Sequence, residues 1–242
     1  MKKAVALIGT QRKRNTQRVL LEIKPYLEKN HITLEIIDLY GITIQACIGC
    51  EQCILQGRCV LKDDVSDIMQ RLLDADGIIL ASPVYLKNIS GRLKTFLDRT
   101  CVWYHRPALI KKPVLAVATT KGSGLKATLS YLNSIAVQWG AAPAGKIGRS
   151  IFNENKSVTE KEVEPFIRLI QHPEKHVPNL NQLFNFEVQK AMALSLNDLD
   201  KNYWIEQNWA NQSYFYPCKK NKISASVSHA FGKFLQKKMR PH

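Results

Sequence analysis

The stretch KAVALIGTQRKRNTQ (residues 3–17) decides the fold. Its first half, KAVALIG, is an unbroken apolar run, the pattern of a short strand buried on both faces of a parallel sheet. Its second half, GTQRKRNTQ, is a polar and strongly basic turn. After Asn15-Thr16 the period changes, and Val19, Leu20, Ile23, Tyr26 and Leu27 fall on one helical face. Pro25 lies inside this helix and is expected to kink it or end it early.

The same unit recurs downstream. HITLEIID (31–38) reads as a second strand. Asp63-Asp64 opens a helix with Val65, Ile68, Met69, Leu72 and Leu73 inward. GIILA (77–81) is a third strand that breaks at Ser82-Pro83, and Ser90 caps a helix carrying Leu93, Phe96 and Leu97. PVLAVA (113–118) is a fourth strand, 125–139 a helix and 141–147 a fifth strand. Strands alternating with helices imply an α/β fold, a doubly wound five-stranded parallel sheet of order 2-1-3-4-5 over residues 1–150. Residues 151–242 read as a helical, basic C-terminal extension rather than an independent domain. It has helices near 160–171, 180–196 and 224–238, and an aromatic-rich stretch at 203–216 that is expected to pack the extension against the main domain.

Composition narrows the function classes. Of 242 residues, 45% are hydrophobic and 23% charged, ordinary for a folded soluble chain. No run approaches the length of a membrane span. The apolar run in MKKAVALIGT is too short for a signal peptide and leads into a basic segment, so a cytoplasmic location with reduced thiols is expected. The net charge of +15 invites a nucleic-acid reading, yet the bases are not gathered as in a DNA-reading helix. Residues 217–242 hold seven Lys/Arg and no Asp/Glu. That composition reads as a solvated basic tail. The alternative is contact with an acidic partner, such as a ferredoxin, nucleotide phosphates or an anionic surface.

In a doubly wound sheet, ligands bind beyond the carboxyl ends of the strands. The loop after the first strand is neither a P-loop nor a G-x-G-x-x-G turn. It offers the hydroxyls of Thr10 and Thr16, the Asn15 amide, the Arg12 charge and a helix N-terminus, which suit a phosphate monoester. A solvated basic turn is the plainer alternative. After the third strand Pro83 stiffens the exit, and Tyr85 presents a flat ring. After the fourth, TTKGSG (119–124) is a glycine-bearing turn able to approach a ligand closely. Together these loops suit a flat heterocycle with a phosphate tail.

A second constellation is CIGCEQCILQGRC (47–59), which spaces Cys47, Cys50, Cys53 and Cys59 as C-x2-C-x2-C-x5-C. The first three match the run that wraps an iron–sulfur cube in bacterial ferredoxins. Three readings stay open on spacing: a [4Fe–4S] cluster, a reduced metal-free loop, and zinc or another metal. Cys101 and Cys218 stand alone and read as inert thiols. His105, in CVWYHRP, reads as a surface-loop histidine, and the six histidines form no recognisable ligand or triad set.

The loop G-T-x-R…N-T, the strand exit SPVY and the helix SGRLKTFLDR together resemble the NADPH-dependent FMN reductase and flavodoxin-like group. The cysteine run followed by VLKDD resembles its iron–sulfur flavoprotein branch. The resemblance covers residues 1 to about 150. It implies FMN, with the phosphate on Thr10, Arg12, Asn15 and Thr16 and the isoalloxazine against Pro83, Val84 and Tyr85. Thr119, Thr120, Gly122, Ser123 and Gly124 would lie along the polar edge of the ring. It also points to a [4Fe–4S] cluster on Cys47, Cys50, Cys53 and Cys59, near a subunit interface and within electron-transfer reach of the flavin. NAD(P)H or a reduced ferredoxin is the expected donor, a small molecule the acceptor, and a homodimer or homotetramer the expected assembly. Two alternatives compete: a cluster-free NAD(P)H-dependent FMN, quinone or nitro/azo reductase, and a non-enzymatic electron carrier or redox-sensing binding protein. No acid–base residue is required by the leading scheme.

Overall fold

The computed structural model describes residues 1–12 and 14–239. Lys13 of the first loop and Arg240 of the basic tail lie outside the described residues. The main body runs β1 (Lys2–Ile8), α1 (Asn15–Lys29), β2 (Ile32–Asp38), a single-turn α2 (Gln52–Leu55), α3 (Val65–Asp74), β3 (Gly77–Pro83), α4 (Gly91–Arg99), β4 (Pro113–Thr119), α5 (Leu125–Gln138) and β5 (Ala142–Arg149). All neighbouring strands pair in parallel, in the order β2-β1-β3-β4-β5. The doubly wound flavodoxin-like sheet expected from the sequence is what the chain forms.

The period-2 rule sorts the strand side chains into two cores. Ala4, Ala6 and Ile8 of β1 pack with Val19, Leu20, Ile23 and Leu27 of α1 on one face. Val5 and Leu7 pack with Ile68, Leu72, Phe96 and Leu132 on the other. Burying each of the Val, Leu, Ile and Phe side chains contributes about 1.5–3 kcal/mol. The central strands are therefore apolar throughout, which is why they read as runs rather than as alternations.

α6 (Glu160–Gln171) opens on a capping box between Thr159 and Glu162 and lies over the α1 face. It sits so close that a Cβ at Gly77 would stand 2.6 Å from Ile170. The remainder comprises α7 (Leu180–Leu196), α8 (Asp198–Glu206) and α9 (Lys222–Lys238). A third core holds them together, with Leu183, Phe186, Trp204, Trp209 and Tyr214 to Tyr216 buried around one another. Ties to the main body run through Trp204 Nε1, which donates to the His105 carbonyl at 2.7 Å, and Tyr203, which donates to that of Pro107 at 3.1 Å. Among the described residues no helix is long and apolar enough to cross a membrane.

Two local expectations are corrected. α1 does not break at Pro25 but continues to Lys29. Pro25 sits on the exposed face, where the carbonyl left without its amide partner is open to water and the apolar face still seals against the sheet. His105 is not a surface histidine: it is 7% exposed and bonds to a buried aspartate.

Candidate functional site

The loops after β1, β3 and β4 meet at the carboxyl edge of the sheet and enclose a cleft of about 270 Å³. Thr10, Arg12, Arg14, Asn15 and Thr16 form one end. Pro83, Val84 and Tyr85 form a wall, with Thr119, Thr120 and Lys121 opposite. Nine of the twelve residues expected at the cofactor are thus brought together. Gly122, Ser123 and Gly124 lie on the same β4–α5 loop but do not line the cleft. Arg14 and Lys121 line it although neither was singled out as a contact.

Local geometry explains the convergence. Gly9 brings the first loop against α4, since a Cβ there would stand 2.4 Å from Ser90 Oγ. Ser90 caps α4 through the Leu93 amide, and its own amide donates to Ser82 Oγ at 2.9 Å. After Pro83 the chain makes a tight reversal, with Tyr85 and Asn88 exchanging backbone bonds at 2.8 and 3.0 Å and Leu86 and Lys87 at positive φ. That reversal leaves the Tyr85 ring 45% exposed at the mouth. Gly124, at φ +95°, lets the third loop lie against it, for a Cβ would meet Lys87 Cα at 2.7 Å.

At the floor, the hydroxyls of Thr16 and Thr119 are 2.7 Å apart and buried. Thr120 Oγ1 accepts the Gly122 amide at 3.0 Å, folding the third loop back on itself. The cationic end has Glu154 as an acidic neighbour. Asn15 Nδ2 donates to Glu154 Oε2 at 3.1 Å, and Lys121 Nζ is 3.8 Å from the same oxygen. α1 begins beyond Arg14, whose side chain makes no capping bond to the helix amides. An open helix N-terminus flanked by Arg12 and Arg14 has the polarity a phosphate needs.

The four loop cysteines lie on the segment between β2 and α3, beside the end of α4. Cys47, Cys50 and Cys59 are exposed, and Cys53, on α2, is half-buried. Burial pushes the Cys53 thiol up, and charge on Cys59, Cys47 and Cys50 pushes the same way. Among the described residues no three Cys, His, Asp or Glu side chains are gathered as a metal site. Burial raises Cys101 to about 11, which leaves it protonated and inert near neutral pH.

Two buried arginines hold this loop. Arg99 donates to the Gln45 carbonyl at 2.8 Å and, through two nitrogens, to Asp63 at 2.5 and 3.1 Å. Burial opposes ionisation of Asp63, but the Arg99 bond and the amides of Gln45 and Val65 outweigh it and hold the carboxyl below its usual range. Arg106 donates to the backbone carbonyls of Ile54, at 3.1 Å, and of Cys53. Neither arginine was expected at the site, because their partners are mostly backbone atoms that leave no mark in the residue pattern.

The chain matches the family model described as NADPH-dependent FMN reductase over residues 2–154. The chain belongs to that family. Its similar proteins include an iron-sulfur flavoprotein of Archaeoglobus fulgidus, 33% identical over 145 residues, a match covering 59% of this chain and 66% of that one. An iron-sulfur flavoprotein of Methanocaldococcus jannaschii is 31% identical over 140 residues, covering 54% and 70%. One of Clostridioides difficile is 28% identical over 217 residues, covering 84% and 96%. Among solved structures, RosB with bound 8-demethyl-8-formylriboflavin-5'-phosphate superposes with a TM-score of 0.58 at 12% identity, covering 92% of each chain. The apo form of an NADH:FMN oxidoreductase superposes with 0.51 at 19%, covering 72% of this chain and 88% of that one. At those identities the structures speak for the fold alone.

For this FMN reductase family member, the residues present fit the family's cofactor. The cleft pairs a cationic, uncapped helix N-terminus with an apolar wall, the two halves that a flavin phosphate requires. For an iron–sulfur cluster the donor chemistry fits, with four thiols in 13 residues, while the side chains stand open rather than closed on a centre.

Proposed function

We propose that this chain is an FMN-dependent oxidoreductase that moves electrons between NAD(P)H or a reduced ferredoxin and a small acceptor. The observation that carries the reading is the cleft, where the N-terminus of α1, flanked by Arg12 and Arg14, continues into the Pro83–Val84–Tyr85 wall. Thr10, Arg12, Asn15 and Thr16 would hold the phosphate and Pro83, Val84 and Tyr85 the ring. Thr119, Thr120, Gly122, Ser123 and Gly124 would supply the loop along its polar edge. Bound flavin supplies both hydride-accepting and one-electron chemistry. The protein's part is to anchor, orient and partly desolvate it. Arg12 offers a fork of donors to the phosphate oxygens. Thr16, fixed by Thr119, presents its hydroxyl from a buried position. Tyr85, half-exposed on its reversal, can cover the ring while leaving room for an incoming substrate.

We assign Cys47, Cys50, Cys53 and Cys59 as the residues that would hold a [4Fe–4S] cluster, which supplies one-electron transfer. The donor set and the names of the archaeal and clostridial relatives support this assignment. A homodimer or homotetramer is the assembly proposed with it. A second reading, a cluster-free NAD(P)H-dependent FMN, quinone or nitro/azo reductase, is favoured by the open placement of the thiols.

Protein purified without oxygen, with its absorbance spectrum and its iron and sulfide content, tests both. Flavin bands bleached by NADPH or NADH support the reductase, and neither nucleotide bleaching them overturns it. About four iron and four sulfide per chain, the composition of one cube, support the cluster, provided Cys50→Ser loses them. Iron-free protein that resists reconstitution leaves the second reading.

A further inference from the structure

One of the two arginines that hold the cysteine loop is itself tied to the C-terminal extension. α2, which carries Cys53, is a single turn of four residues, too short to persist without tertiary support. The last carbonyls of such a turn have no partner within it. Arg106 supplies one, donating to the carbonyl oxygens of Cys53 and Ile54. Arg106 is in turn fixed by Asp200 of α8, whose Oδ1 accepts from the guanidinium at 2.5 Å. Asp200 is fully buried and saturated: Oδ2 lies 2.9 Å from His105 Nδ1 and 2.7 Å from Asn197 Nδ2. Burial opposes its ionisation, and the bonds from His105 and Asn197 with the charge of Arg106 outweigh it, so the carboxyl stays below its usual range. One residue earlier, Leu199 Cδ2 is 3.6 Å from the position of a Cβ on Gly57, so α8 also approaches the loop there.

We propose that Asp200 and Arg106 form a clamp through which the C-terminal extension sets the conformation of the cysteine loop and the presentation of Cys53. Arg106 is a positioning residue that acts on backbone, and Asp200 fixes its orientation. The extension therefore belongs to the thiol site, not to the flavin cleft, whose lining residues all come from the first 121 positions. Only its consequence for iron retention rests on the proposed cluster; the clamp itself is a property of the metal-free chain.

The test uses the full chain, reduced and freed of metal by chelation, with alkylation of each thiol followed by mass spectrometry. Asp200→Asn and Arg106→Gln are expected to alkylate Cys53 about tenfold faster. Cys218 and FMN affinity should stay within about twofold of the parent, the scatter of independent sites. Arg106→Lys, which keeps the charge but loses the fork, should fall between. A folded Arg106→Gln protein with unchanged Cys53 alkylation overturns the proposal. Should the buried network not tolerate substitution, native-state hydrogen exchange of the unmodified chain decides. The Ile54, Leu55 and Gln56 amides, bonded within α2, should open together with α8. Opening of α2 independently of α8 overturns the clamp. Iron content after reconstitution separates the two claims. A parent chain that takes up no iron sinks the cluster and leaves the clamp standing. Iron uptake by variants with unchanged thiol rates sinks the clamp alone.

Discussion

The hydroxyls of Thr16 and Thr119 stand 2.7 Å apart, joining the first turn of α1 to the end of β4 at the floor of the cleft. The two residues are 103 positions apart in the chain, and the bond locks the Thr10–Thr16 end of the cleft to its opposite wall. Thr16→Val removes a donor and leaves the Thr119 hydroxyl buried without its partner. A lost buried hydrogen bond costs about 0.5–1.5 kcal/mol, so FMN affinity should fall roughly 3- to 10-fold. Flavin fluorescence quenching measures it, and an unchanged Kd would place the phosphate elsewhere.

Gly124 holds the third loop against the reversal at Leu86 and Lys87. Gly124→Ala must accommodate both φ +95° and a 2.7 Å approach to Lys87 Cα. The strain should cost about 1–3 kcal/mol. Gly91→Ala, with nothing within 4 Å of its added Cβ, is the matched control. Thermal unfolding should show a clear loss for the first and almost none for the second.

Arg149, at the end of β5, ties down the segment that carries Glu154. It bonds Glu162 at 2.9 and 3.0 Å, and its Nε donates to the Lys156 carbonyl at 2.8 Å. The Arg149 bond, joined by the Thr159 amide and hydroxyl, holds the Glu162 carboxyl at about 2 against its ordinary 4.5. A depressed carboxyl stabilises the fold above its unfolded value and loses that contribution as pH falls through the folded one. The stability from this pair is thus complete above about pH 4.5 and disappears toward pH 2. With solvent screening it is worth about 1–2 kcal/mol. Chemical denaturation across pH 2–6 should show this acid limb in the parent chain and a weaker one in Glu162→Gln.

The sheet was legible because parallel strands buried on both faces are written as apolar runs, and each helix carries a stripe at period 3.6. Ser90 was readable as a cap because its role is local. The Arg106–Asp200 pair was not, for it joins positions 94 apart and ends on carbonyl oxygens. His105 was misread for the same reason: nothing in CVWYHRP announces a buried carboxylate from α8. Pro25 misled because a proline signals a break only where the helix must stay dry around it. The residues that line one end of the cleft were legible in their types, and Arg14 was missed because a run of bases does not say which of them faces the cleft.

We propose that the N-terminus of α1 binds the phosphate of FMN. Equilibrium titration of the flavin-free chain with FMN and with riboflavin, which lacks the phosphate, tests it most directly. Charged-group hydrogen bonds contribute about 1.5–3 kcal/mol each, so FMN should bind at least about tenfold more tightly. Arg12→Gln should erase most of that difference while leaving riboflavin binding unchanged. Equal affinity for the two flavins, or a preference that survives Arg12→Gln and Asn15→Ala together, would contradict it.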